Sequence, residues 1–334
     1  MSAQPKLIQD LQSEIQWLHK ATLKQALRYY KDLISFPTTP EINNLIVAEL
    51  GKGDRFFLLT HLLNRVDAVH SWVYDRCREV EASPDDHIDL WSRGHYKSTI
   101  ITFAGSLQEI IKDPEITIGI FSHTRPIAKA FLRQIKLEME TNKVLVDVYP
   151  DIFWKSPHKD ALLWSEEAGI TVKRKSNPKE ATVESWGLVD GQPTSKHFKL
   201  RIYDDVVTRE SVTTGDQIMK TTEAWELSLN LSSRPPRQWI AGTRYHFADT
   251  YKVILDRKTV AARIYPATDD GTPDGNPVFL SSAEWDKKKK ESGPYIVACQ
   301  LLLNPIAGSE QNFKPEWIRK WEVRPYTLNV FIMC

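Results

Sequence analysis

The pattern that most restricts the fold of this chain is a short apolar run that breaks into a loop and resumes as a helix: Asp89-Leu-Trp-Ser-Arg-Gly-His-Tyr-Lys-Ser-Thr-Ile-Ile-Thr-Phe103. A buried strand, a tight loop and a helix N-terminus in direct succession bring backbone N–H groups and the positive end of a helix dipole to one point, which suits an anion. Ser92-Arg93-Gly94-His95-Tyr96-Lys97-Ser98, with Thr99 after it, also keeps the lysine and hydroxyl of a phosphate-binding P-loop. In such a loop the lysine reaches the β- and γ-phosphates of ATP and the hydroxyl ligates Mg²⁺, roles that fit Lys97 and Ser98. Both standard glycines, at the loop start and before the lysine, are missing. Taken alone, the segment reads equally well as a helix N-terminus with a solvated lysine.

A second signal lies downstream. Phe198-Lys-Leu-Arg-Ile-Tyr-Asp-Asp-Val-Val-Thr208 is rich in β-formers and ends in paired carboxylates, the grammar of a Walker B strand. A strand inside a parallel sheet delivers such acids to its C-terminal edge, where open α/β sheets bind ligands. Asp204 would then hold Mg²⁺ through a water, and Asp205 would orient or deprotonate the water that attacks the γ-phosphate. Adjacent carboxylates repel, and a divalent cation is a physical reason to place them together; a surface turn is the alternative.

The rest of the pattern agrees with an α/β fold. Helical spacing marks residues 5 to about 82, with stripes over Leu45 to Leu63 and Val66 to Val80, and Ala82-Ser-Pro-Asp-Asp86 reads as a linker. Strand and helix patterns then alternate: Ile88 to Trp91, a helix over Ser98 to Lys112, a strand over Ile116 to Phe121, and a helix over Pro126 to Asn142. A polar middle region, Trp164 to Phe198, is strand-like with many turns. The acid-bearing strand, a helix over Thr214 to Asn230 and a strand over Gln238 to Ala241 follow. Such alternation predicts a mainly parallel central sheet flanked by helices.

With 334 residues, 41% of them hydrophobic, the chain can bury a substantial core, and its formal charge of +1 means that any nucleic-acid contact needs a local basic face. Lys287 to Lys290 and Lys173-Arg174-Lys175 read first as solvated faces. Cys77, Cys299 and Cys334 lack metal-site spacing, which argues against zinc or a disulfide scaffold and for a reducing compartment. With no signal-peptide pattern and no long apolar run, the expectation is a soluble, unexported chain and no membrane partner.

From about residue 55 onward the chain resembles the large terminase subunit of tailed bacteriophages and prophages. The likeness rests on Asp89 to Ile100, Gly119 to Lys129, Trp186 to Phe198, Tyr203 to Thr208, Gly242 to Tyr251 and Cys299-Gln-Leu-Leu-Leu-Asn-Pro305. It implies a P-loop ATPase fold of the RecA-like class, with a helical N-terminal region over 1–85 and an ATPase core over 86–325. Residues 326–334 would be a linker and the first strand of an RNase H-like nuclease domain not otherwise present. The resemblance further implies that Arg93 touches phosphates from the Walker A segment and that Asp204 matches the Walker B aspartate. Asp205 stands where the family usually has a glutamate, and Thr243 would sense the γ-phosphate.

The implied cofactors are ATP and Mg²⁺, and the implied partners are double-stranded DNA, a portal protein, a small terminase subunit and further copies in a homo-oligomeric ring, expected to be a pentamer. The expected location is the host cytoplasm and, transiently, the procapsid, but not the mature virion. Arg125, Arg201, Arg209 and Arg244 are candidates for an arginine acting on a neighbouring subunit's site, and His70 and Trp72 are the nearest positions to the family's adenine contact. A superfamily 2 helicase and a portal-docking module without turnover are the competing readings. Because Thr327 to Cys334 carries no acid at its end, residues 1–334 are expected to hydrolyse ATP without cutting DNA.

Overall fold

The computed structural model describes residues 3–305 apart from Pro84. Its centre is an eight-stranded sheet in the order β3-β4-β5-β2-β6-β7-β1-β8. The strands are β1 (His87–Trp91), β2 (Ile118–Ser122), β3 (Trp164–Ser165), β4 (Gly169–Ile170), β5 (Val183–Gly187), β6 (Leu200–Asp204), β7 (Gln238–Gly242) and β8 (Ala261–Tyr265). From β5 through β8 every neighbouring pair is parallel, while the two-residue strands β3 and β4 add an antiparallel edge. The expected α/β class, with a mainly parallel sheet between helices, is the observed one.

Parallel strands need crossovers, and helices supply them: Arg125–Thr141 after β2, Gly215–Ser228 between β6 and β7, and Thr250–Arg257 between β7 and β8. The sheet is therefore covered on both faces. Alternation sends Trp91, Ile118, Ile120, Ile202 and Trp239 into one core, and Ile88, Leu90, Phe121, Tyr203 and Ile240 into another. β7 lies between the strand that enters the lysine loop and the strand that carries the acids. Because these three strands are parallel, Ser92–Ser98, Asp204–Asp205 and Gly242–Thr243 all emerge at the same sheet edge.

Several boundaries differ from the sequence expectation. The helix expected over Ser98 to Lys112 is a π-helical segment, Thr99–Ala104, followed by α-helix Gly105–Lys112. β2 starts at Ile118 because Ile116 donates its N–H to Asp113 in a turn. The polar middle region contributes a central strand: β5 pairs with β2 across its whole length. β8 has no counterpart in the expectation, since an edge strand with largely exposed residues shows no apolar run.

The N-terminal helices are Ala3–Leu18, Leu23–Ile34, Pro40–Gly53 and Ser71–Ala82. Thr22 closes a capping box with Gln25, and Thr39 caps a helix that has Pro40 in its first turn. The stripe over Leu45 to Leu63 breaks at Asp54, which caps a new short helix at Arg55–Phe57 that runs into a π turn, Leu58–Leu62. Asp54 is fully buried, ion-paired to Arg78, and accepts from the Tyr30 hydroxyl at 2.5 Å. Arg55 donates its N–H to Glu81 at 2.6 Å and its Nε to Gln108 at 2.9 Å, tying these helices to the one that follows the lysine loop. Cys77 and Cys299 are buried and free, and Cys334, like Thr327 to Met333, lies outside the described residues. Among the described residues no helix is long and apolar enough to cross a membrane.

β8 is fixed to β1 by Arg263, whose Nε and Nη2 donate to the Asp89 carboxylate at 2.6 and 2.8 Å. Burial pushes this carboxyl up, but its bonds to Arg263 and His87 outweigh burial and hold it below the usual aspartate range. Replacing Arg263 with methionine strands a buried carboxylate. Urea unfolding of Arg263→Met should show a loss of about 3–5 kcal/mol; an unchanged midpoint would contradict the role given to this pair.

Candidate active site

The sheet edge holds a cavity of about 220 Å³ lined by every residue from Ser92 to Thr99 together with Asp205 and Thr243. The two distant segments singled out in the sequence therefore converge. Lys97 Nζ donates to Asp205 Oδ1 at 2.8 Å and approaches Asp204 Oδ1 at 3.5 Å. The Ser98 hydroxyl donates to the same Asp204 oxygen at 3.0 Å, and Thr102 donates to Oδ2 at 2.5 Å. Ser122, at the end of β2, donates to the Asp204 carbonyl at 2.7 Å.

Lys97 and Asp204 are 7% and 0% exposed, so their charges are tightly linked. Burial alone would lower the Lys97 ammonium, but the carboxylates of Asp205 and Asp204 outweigh it and hold its pKa above the ordinary lysine value. For Asp204, burial dominates and raises the carboxyl; Lys97 pulls it down, and the neighbouring Asp205 adds to the rise. Oxygen donors from Ser98 and Asp204 suit a hard cation such as Mg²⁺.

The loop is anchored at its start. Ser92 N–H donates to the Tyr265 carbonyl and Arg93 N–H to the Gln300 carbonyl, each at 2.9 Å. Gln300 belongs to a π segment, Val297–Leu301, so the loop leans on β8 and on a part of the chain far away in sequence. The Arg93 side chain is exposed at the rim of the cavity. Gly94 has φ +84°, the left-handed backbone that favours glycine. Tyr96, in the place before the lysine, has φ +61°, and Asp205 has φ +50°, conformations that disfavour side chains by about 1–2 kcal/mol.

His95 is fully buried among Trp72 and Phe279, with Nδ1 3.3 Å from the Arg93 carbonyl. It belongs to the packing beneath the loop. His70 and Trp72 do the same kind of work: His70 Nδ1 accepts the Trp72 N–H at 3.1 Å at a helix start, and Trp72 packs edge-on against Trp91.

Thr243 follows a glycine for a steric reason, because a Cβ at Gly242 would overlap the buried Tyr251 ring. Next to it, Arg244 is buried, pairs with Asp249 at 3.0 Å and donates to the His246 and Phe247 carbonyls. Arg201 is also buried, bonded to the Tyr203 hydroxyl and the Ser228 carbonyl. Both arginines are buried and bonded within their own chain, which leaves neither side chain at the surface. Arg125 is bonded to Glu167 and lies over Trp186, whereas Arg209 is exposed, 5.9 Å from the Tyr295 ring.

The basic runs are mostly used internally. Lys173 donates to the Pro150 carbonyl, Arg174 to the Glu180 carbonyl and Lys289 to the Pro273 carbonyl, while Lys287 and Glu291 pair at 3.7 Å. Sequence reasoning missed Thr102, Ser122 and Tyr251. Thr102 had a signal, since a position four residues after Ser98 shares its helix face.

The structure is similar to those of phage large terminases. The ATPase domain of the Thermus phage P74-26 large terminase is 15% identical and aligns over 69% of this chain and 92% of its own, with a TM-score of 0.44. The HK97 bacteriophage large terminase is 16% identical over 69% of this chain and 50% of its own, also at a TM-score of 0.44. The large terminase of a thermophilic bacteriophage, in complex with ATP-γ-S, is 13% identical over 66% and 48% respectively, at 0.40. The chain thus spans about half the length of the last two proteins. No protein-family model matches the sequence, and no curated protein does.

Burial, the largest influence, pushes His95 down from 6.5 to about 4, with the Arg93 carbonyl opposing it and Lys288 adding to it. Between those values the unfolded chain binds the proton that the folded chain refuses, so this histidine's contribution is whole above 6.5 and is lost as pH falls towards 4. Unfolding free energy should therefore rise with pH across this window more steeply for the wild type than for His95→Gln. Identical slopes would contradict a buried neutral imidazole.

Proposed function

We propose that this chain is the ATP-hydrolysing motor domain of a phage large terminase, driving double-stranded DNA through a portal into a procapsid. The observation that carries the reading is one cavity lined by the entire Ser92–Thr99 loop, Asp205 and Thr243, with Lys97 and Ser98 bonded to the acids behind it. The motif resemblances support the same family.

In this reading the loop and helix N-terminus receive the phosphates, with Arg93 at the rim. Lys97 turns from Asp205 to the β- and γ-phosphates. That turn frees the Asp205 carboxylate to orient the attacking water and take its proton as ADP leaves. Ser98 and Asp204 would hold Mg²⁺, which supplies neutralisation of phosphate charge when bound. Thr243 lines the same cavity and is joined to Arg244, which grips Asp249, the cap of helix Thr250–Arg257. Loss of the γ-phosphate at Thr243 is thereby transmitted into a helix that contacts the rest of the core.

The motor works as a ring of copies, with Arg209 the best placed of the four arginines to act on a neighbour. The portal and a small subunit complete the assembly, in the host cytoplasm and transiently on the procapsid. Residues 86–325 serve as its ATPase core, with 1–85 as a helical flank.

ATP turnover measured with and without duplex DNA tests the proposal. The wild type should hydrolyse ATP and respond to DNA. Lys97→Ala should lose hydrolysis and bind nucleotide weakly. Asp205→Asn should bind ATP but turn over roughly 10²-fold more slowly, while Asp204→Asn should weaken Mg²⁺-dependent binding. Near-wild-type turnover by Lys97→Ala would sink the assignment.

A further inference from the structure

Tyr96 occupies the loop position where a standard P-loop has glycine, and it keeps the backbone that glycine would favour, φ +61°. Three contacts hold it there. Its hydroxyl donates to the Asp67 carboxylate, 29 residues upstream. Arg65 lies over its ring at 5.7 Å, and Phe279 meets that ring edge-on at 5.7 Å. Arg65 and Asp67 are themselves locked in a two-pronged pair, Nε to Oδ1 at 3.0 Å and Nη2 to Oδ2 at 2.9 Å. Arg65 first, and the Tyr96 hydroxyl second, hold the Asp67 carboxyl well below the usual aspartate range.

Asp67 sits in a short 3₁₀ turn, Val66–Ala68, between the N-terminal helices, and it is absent from the residues lining the cavity. The clamp therefore reaches the phosphate loop from outside the site.

We propose that Asp67 and Arg65 are positioning residues for nucleotide binding, which hold Tyr96 in the left-handed backbone that this loop needs in place of a glycine. A tyrosine released from the clamp relaxes towards the ordinary backbone region, and Lys97, the next residue, turns away with it. Nucleotide affinity then depends on a carboxylate that touches no nucleotide. This inference rests on the reading of the cavity as an ATP site.

The test is a rescue experiment. Binding of ATP with Mg²⁺ is measured by calorimetry for the wild type, Asp67→Ala, Tyr96→Gly and the double variant, with thermal unfolding recorded for each. Asp67→Ala should weaken binding about tenfold, the scale of the backbone penalty it releases. Tyr96→Gly should restore binding in the Asp67→Ala background to within about threefold of wild type, because glycine adopts this backbone unaided. A merely structural role for Asp67 would leave the double variant as weak as Asp67→Ala, and that result overturns the proposal. Unchanged affinity in Asp67→Ala overturns it as well. Failure of the wild type itself to bind ATP would instead overturn the nucleotide reading, and the clamp's role with it.

Discussion

Lys97 brings a positive charge to a place where 7% of the residue meets solvent, between a fully buried carboxylate and one at the sheet edge. A lysine so desolvated keeps its proton only because Asp204 and Asp205 face it, and Asp204 stays tolerable in the core only because Lys97, Ser98 and Thr102 bond it. Each group is thus a condition for the others. The strand order makes the meeting possible: β7 spaces β1 from β6 so that the loop after one reaches the acids after the other. In the proposed function the same compensation would make the cluster responsive, because a phosphate that drew Lys97 away would leave Asp205 free to act on water.

Supports for this cluster lie well outside it. Thr102, within the π segment Thr99–Ala104, and Ser98, just before it, both bond Asp204, and irregular turns of this kind recur at functional sites. Below it, Arg55, Gln108 and Glu81 join the N-terminal helices to the helix that follows the loop. Above it, Tyr265 and Gln300 accept the first two loop N–H groups. The loop is held by β8, by the chain near residue 300 and by the turn at Arg65 and Asp67. A site so tied to distant elements can transmit strain to them.

What could be read from the sequence follows from how local the chemistry is. Lys97, Ser98, Asp204 and Asp205 carry their reason in their own neighbours, an apolar run that ends in a charged or hydroxylated turn, and the structure gathers all four. Thr243, expected only through family likeness, lines the same cavity. Arg201 and Arg244 looked available because burial is a tertiary property; one lies within strand β6 and the other just after β7, and each is enclosed by its own chain. β8 escaped notice because it is an edge with largely exposed residues, and β5 was legible only as part of a strand-like polar stretch, with no apolar period to fix its bounds. Tyr96 is the opposite case: its sequence position made it look like a defect, while its partner Asp67 gave no signal at all, since a lone aspartate in a turn is ordinary.

The account stands or falls on where Lys97 goes when nucleotide binds. A crystal structure of this chain with a non-hydrolysable ATP analogue and Mg²⁺ tests it most directly. The account predicts phosphates in the cavity between Ser92 and Thr99, with Lys97 Nζ on the β- and γ-phosphates and no longer 2.8 Å from Asp205. Nucleotide bound elsewhere, or phosphates in the cavity with the Lys97–Asp205 bond intact, would contradict it.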